Sequence, residues 1–247
     1  MPARIPMQIG AIYHVINRGV EKRKIFMKPQ DYSRFILGLY FFNDKNAKAD
    51  IWTNLRSRRD KTLAVIGSRG YPGYPLAGDD TLIDKRERLV DLLAFALMPN
   101  HFHFIIREIK EGGTSSFMQK MCGYVRYFNQ QYDRVGPLFQ GRYKAVEIKD
   151  EGQLRTTFVY VHTNPVELKE PEWKDLKVKN AKNAINWLGH YRWSSYHDYV
   201  GNPTFPDVTQ RDSFLKLYGG EKECRQAIDD WVLFKAENAQ FDSRISE

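Results

Sequence analysis

The stretch from Arg88 to Arg107 constrains the fold more than any other part of this chain. Arg88 to Met98 and Phe102 to Arg107 are apolar runs of strand length separated by a short Pro99-Asn100 turn, so they read as an antiparallel pair. Side chains alternate faces along a strand. His101 and His103 therefore share one face while Phe102 and Phe104 point into a core. Two imidazoles on one face make half of a metal site. A lone His-x-His pair is more often ordinary surface or core histidine, so it needs a third ligand and a nucleophile before it means chemistry.

The neighbouring segments supply a context. Residues 11–17 are β-branched and aromatic enough for a strand ending at Arg18-Gly19. Asp31 is placed to cap a following helix in which Phe35, Ile36, Leu39 and Tyr40 recur at helical spacing. From about Asn43 to Asp84 the pattern dissolves into a basic, Gly- and Pro-rich insertion. Ser115 or Ser116 is placed to cap a long helix reaching about Asp133, Tyr143 to Ile148 reads as a strand, and a helix from Glu151 must stop near Asn164 because Pro165 follows. Strand, helix, two strands, helix, strand, helix fits an α+β fold in which helices cover an antiparallel sheet of the split β-α-β kind. Beyond it, residues 167–247 read as a helical, Trp-containing accessory region, with short helices around Asp212 to Leu217 and Glu221 to Phe234.

Charge and cysteine content narrow the function classes. The formal net charge is +8, and residues 201–247 alone carry −3, so residues 1–200 carry +11. The positive charge thus lies with the histidines, which fits a polyanionic partner such as nucleic acid. Cys122 and Cys224 are isolated, indicating neither a disulfide framework nor a thiolate zinc site, and a reducing cytoplasm is the simplest compartment. Leu89 to Met98 is too short and too interrupted to span a bilayer, and the N-terminus shows no signal-peptide core, so no membrane association is expected.

Tyr160 and Asn164 lie four residues apart at the end of the helix from Glu151, about one turn apart on one face. Taken singly, such a tyrosine is usually a packing residue and such an asparagine a helix-end or turn residue. At this point several motifs coincide in order: Tyr13-His14-Val15-Ile16-Asn17-Arg18-Gly19, Met98-Pro99-Asn100-His101-Phe102-His103, Gly136-Pro137-Leu138-Phe139-Gln140-Gly141-Arg142-Tyr143-Lys144, and Tyr160-Val161-His162-Thr163-Asn164-Pro165-Val166. Over about residues 10–166 the chain resembles the single-tyrosine HUH (IS200-like) transposases, in particular those associated with repetitive extragenic palindromes. Trp193-Ser194-Ser195-Tyr196 is similar to the region that follows the catalytic domain in that family.

The resemblance implies a ferredoxin-like HUH endonuclease fold, a catalytic domain over residues 1–166 carrying the insertion at about 43–84, and an accessory region over 167–247. It implies His101, His103 and Asn164 as ligands of a divalent metal ion and Tyr160 as the nucleophile. Two nitrogens and one oxygen suit Mn²⁺ better than Mg²⁺, although Mg²⁺ is the more abundant ion in cells. A free phenol has a pKa near ~10, so Tyr160 needs a target made electrophilic, which such an ion supplies. Attack leaves a 5′-phosphotyrosine and a free 3′-hydroxyl, so the same site is able to rejoin strands. The implied partner is single-stranded DNA bearing a hairpin, met by a monomer or a homodimer. Candidate DNA contacts are Arg18, Lys22 and Arg23 after the first strand, Arg126 and Asn129 on the long helix, and Gln140, Arg142 and Lys144. Arg142 and Lys144 stand out because strand spacing would put them on one face. His14 and His162 read as structural histidines. A domesticated hairpin-binding protein without transposition activity is the alternative, against which the complete set of four residues argues; a replication or plasmid-transfer initiator fits the flanking motifs less well.

Overall fold

One antiparallel sheet, in the strand order β2-β3-β1-β4, organises the molecule. The computed structural model describes residues 6–47, 86–175 and 178–245, so most of the expected insertion at about 43–84 lies outside the described residues. The strands are β1 (Ile12–Arg18), β2 (Val90–Met98), β3 (His101–Glu108) and β4 (Lys144–Ile148). Helix α1 (Pro29–Phe41) lies between β1 and β2, α2 (Gly113–Met121) and α3 (Gly123–Gln131) between β3 and β4, and α4 (Glu151–Thr163) follows β4. This is the split β-α-β order expected of the chain, and the fold class is α+β.

Strand register separates two faces. Val15 pairs with Phe104 and Ile16 with His103 along β1 and β3, and Ala96 of β2 pairs with His103. Val15, Phe95, Leu97, Phe102 and Phe104 pack with Phe35 of α1, Phe117 of α2, and Tyr124 and Phe128 of α3. The opposite face carries His14, His103, Ile105, Ala94 and Ala96, and α4 covers it through Phe158 and Val161. The two small alanines leave room for a helix to lie close to the strands.

Several element ends differ from the sequence reading. Helix α1 starts at Pro29, where a missing N–H costs nothing, and Asp31 sits in its first turn accepting from the Met27 and Lys28 amides at 2.8 and 3.1 Å. The expected helix from Ser115 or Ser116 to Asp133 is two helices, and it begins earlier because the buried Glu108 carboxylate accepts the Thr114 amide at 3.0 Å. Asn43 is ordered and buried rather than the start of an irregular segment: its amide oxygen accepts from Leu89 and Val90 N–H, each at 3.0 Å, and its nitrogen donates to Val90 O at 2.9 Å.

Residues after Asn164 wrap the edge of β2 and the outside of α4. Leu97 N–H donates to Trp193 O and Ser195 N–H to Phe95 O, both at 2.9 Å, so Trp193-Ser194-Ser195 continues the sheet beyond β2. Helices α5 (Ala181–Leu188), α6 (Tyr196–Tyr199), α7 (Asp212–Tyr218) and α8 (Glu221–Ile245) follow, α8 running past the expected end at Phe234. Tyr199, Phe214, Cys224, Ile228 and Val232 join Phe158 and Val161 of α4 in one buried cluster.

Candidate active site

The β2–β3 turn fixes the first histidine. Asn100 Oδ1 lies 2.6 Å from His101 Nδ1, and Asn100 Nδ2 donates to Lys22 O at 3.2 Å. An amide oxygen only accepts, so His101 carries its proton on Nδ1 and its lone pair on Nε2. The segment after β1 wraps this turn: Gly19 N–H donates to Asn100 O at 2.8 Å and Ile25 N–H to Pro99 O at 2.7 Å. Gly19 has to be glycine here, because a Cβ would stand 2.2 Å from Arg23 O.

Helix α4 delivers the other two expected residues. Asp150 caps it by accepting Gln153 N–H at 2.8 Å, and Asn164 takes the helix C-cap position and opens the 3₁₀ turn Asn164–Leu168. The Tyr160 ring stands edge-on to His103, with centroids 5.4 Å apart, and Asn164 Nδ2 lies 3.0 Å from His103 Nε2. His101 and His103 rings are 4.9 Å apart and nearly perpendicular at 80°. His101, His103, Tyr160 and Asn164 thus converge on one face of the sheet, and His101, His103 and Asn164 are buried while Tyr160 is half-buried.

One residue in this cluster was read from the sequence as structural. His14 of β1 stacks on His103 with centroids 5.1 Å apart and its Nε2 2.9 Å from His103 Nδ1; its ring centroid is also 5.9 Å from that of Tyr160. Burial pushes its pKa down to about 4, so it is neutral at pH 7. His162, the other histidine read as structural, is fully buried and held between Phe158 O at 3.0 Å and Ser195 Oγ at 2.8 Å.

Residues 84–164, which run from before β2 to Asn164, match the family model described as transposase IS200 like. Over this segment the chain is similar to the IS200-like transposases. A solved structure of a REP-associated tyrosine transposase bound to a REP hairpin is similar to it at 16% identity, covering 86% of this chain and 92% of that one with a TM-score of 0.44. No curated protein matches it.

The donor set of His101, His103 and Asn164 fits a divalent cation. Among the described residues no group of three or more His, Cys, Asp or Glu side chains is placed to hold a metal, so two histidines need a different third donor. Asn164 Oδ1 is buried and has no hydrogen-bond partner, an uncompensated lone-pair atom beside His103. Turning the amide over puts that oxygen where the nitrogen now lies, 3.0 Å from His103 Nε2. With the His103 proton on Nδ1, the two lone pairs then face each other and a cation between them would satisfy both.

The basic candidates are placed unevenly. Arg18 pairs with His101, and Lys144 pairs with Ile16, itself the partner of His103, so both belong to the histidine face. Gln140 N–H donates to Arg18 O at 2.9 Å and Asn17 Nδ2 to Gly141 O at 3.2 Å, which ties the Gln140–Arg142 segment to the same end of the sheet. Arg142 precedes β4, so strand alternation does not relate it to Lys144. Lys22 is exposed beside the Asn100 turn, and Arg23 is engaged by Glu21 at 2.9 Å. Arg126 and Asn129 lie on α3, behind the other face of the sheet, where Asn129 Nδ2 donates to Gly136 O at 2.8 Å.

Proposed function

We propose that this protein is a metal-dependent single-stranded DNA endonuclease and strand transferase, a transposase acting at hairpin-bearing DNA through a 5′-phosphotyrosine on Tyr160. The convergence of His101, His103, Asn164 and Tyr160 from β3 and α4 carries the reading. His101 and His103, through Nε2, and Asn164, through Oδ1, would hold Mn²⁺ or Mg²⁺. Bound there, such an ion polarises the scissile phosphate and offsets charge developing on its oxygens.

The chain's own residues do the rest. Tyr160 Oη loses its proton as it attacks phosphorus, the P–O3′ bond breaks, and the departing 3′-oxygen takes up a proton and leaves as a 3′-hydroxyl while the phosphate stays on tyrosine. Another 3′-hydroxyl attacking the phosphotyrosine reverses the step without loss of bond energy. Arg18, Lys22, Gln140, Arg142 and Lys144 line the approach to the histidine face and contact the strand through phosphates; Arg23, Arg126 and Asn129 are engaged or placed elsewhere. Residues 1–166 form the catalytic unit and 167–247 an accessory region that braces α4. The acting species is a monomer or a homodimer. Among the described residues no helix is long and apolar enough to cross a membrane, and we place the reaction on cytoplasmic DNA.

The test is polarity of attachment. With Mn²⁺ and a hairpin-bearing oligonucleotide, a 3′-end label should migrate with the protein on a denaturing gel and a 5′-end label with a free shortened strand. A 5′ label carried by the protein, or cleavage with no covalent species, would contradict the mechanism.

A further inference from the structure

We infer that His14 is a positioning residue for the metal site: it holds His103 in the tautomer that presents Nε2 to the ion. The inference rests on the metal reading above, and its experiment separates the two.

Donor counting gives the argument. His103 Nε2 faces Asn164 Nδ2 at 3.0 Å, and an amide nitrogen only donates. Whether Nε2 accepts from that amide or gives its lone pair to a cation, the ring proton belongs on Nδ1. That Nδ1–H has an acceptor in His14 Nε2 at 2.9 Å. Asn100 does the same for His101 from the adjacent position in the chain. His14 instead reaches across the sheet from β1, where it pairs with Ile105 and stacks on His103 with an interplanar angle of 21°. It is not itself a third ligand to the same ion, because it meets His103 at the nitrogen opposite Nε2. Outer partners of this kind set ring orientation and ligand basicity, and losing one typically lowers metal affinity about 10–100-fold.

Mn²⁺ binding followed by the electron paramagnetic resonance signal of the free ion tests this without reference to DNA cleavage. The parent protein should bind and His101→Ala should not. His14→Ala should bind about 10–100-fold more weakly, whereas His14→Gln, whose amide oxygen accepts the same proton, should recover most of the affinity. Should His14→Ala fail to fold, ¹⁵N spectra of the metal-free parent decide the point by showing His103 protonated on Nδ1. Parent-like affinity in His14→Ala, equal weakening in both His14 variants, or His103 protonated on Nε2 overturns the positioning role while leaving the metal site standing. A parent that binds no Mn²⁺ overturns both.

Discussion

Replacing Ser195 with alanine tests how the C-terminal region holds the helix that carries Tyr160. His162 Nδ1 lies 3.0 Å from Phe158 O, a carbonyl that only accepts, so the proton is on Nδ1 and Nε2 must receive one. Ser195 Oγ, 2.8 Å away, supplies it in preference to Phe95 O at 3.2 Å, and at the same time accepts Phe95 N–H at 2.9 Å. Both residues are fully buried, so no water is at hand to replace the hydroxyl. Ser195→Ala leaves an imidazole nitrogen and a backbone N–H without partners, at about 1–3 kcal/mol each, for a total of about 3 kcal/mol. In a protein of this size that corresponds to a melting transition lower by roughly 6–12 °C. Thermal denaturation followed by circular dichroism measures it, with Ser195→Thr as the hydroxyl-bearing comparison. A Ser195→Ala protein that melts within 2 °C of the parent, on the scale of ~1 kcal/mol or less, would refute the claim that this bridge pins α4 to β2.

His162 also predicts a pH dependence. Burial pushes its folded pKa down to about 3, whereas the unfolded chain protonates near 6.5. Its contribution is therefore complete above pH 6.5 and is lost as pH falls towards 3. Between pH 7 and pH 5 the difference in unfolding free energy between the parent and His162→Gln should fall by about 2 kcal/mol; a difference that stays level in urea titrations would contradict it. For DNA binding, Lys144→Ala should weaken affinity for a hairpin-bearing single strand and reduce the slope of log affinity against log salt by about 0.7. Arg126→Ala, behind the opposite face, should leave both unchanged, and the reverse pattern would move the binding face.

What the chain discloses on its own follows from the range of the interactions involved. The β2–β3 hairpin was legible because alternation and a two-residue turn are local, and so was the Tyr160–Asn164 face, because helical spacing is local too. The start of α2 was not legible, since the acceptor that nucleates it is the Glu108 carboxylate at the end of β3 rather than a serine within the helix. His14 was missed for a stronger version of the same reason: it meets His103 only once β1 and β3 pair, across 89 residues of sequence. The signal available was that Tyr13-His14-Val15 alternates as β3 does, but nothing local sets the register. The placement of Arg126 depends likewise on which face of the sheet α3 covers, a matter settled by Tyr124 and Phe128 joining Phe35 and Phe104 in the core. The two histidines that looked alike in the sequence thus have different surroundings, one half-buried against His103 and Tyr160 and the other fully buried between α4 and Ser195.

The nucleophile is the claim on which the account turns. Mass spectrometry of the proteolysed covalent complex, formed with Mn²⁺ and a hairpin-bearing oligonucleotide, should find the nucleotide adduct on the peptide containing Tyr160. Tyr160→Phe should abolish the adduct while retaining oligonucleotide binding. A full-strength adduct in that variant, or one mapped to a different tyrosine, would contradict the central assignment.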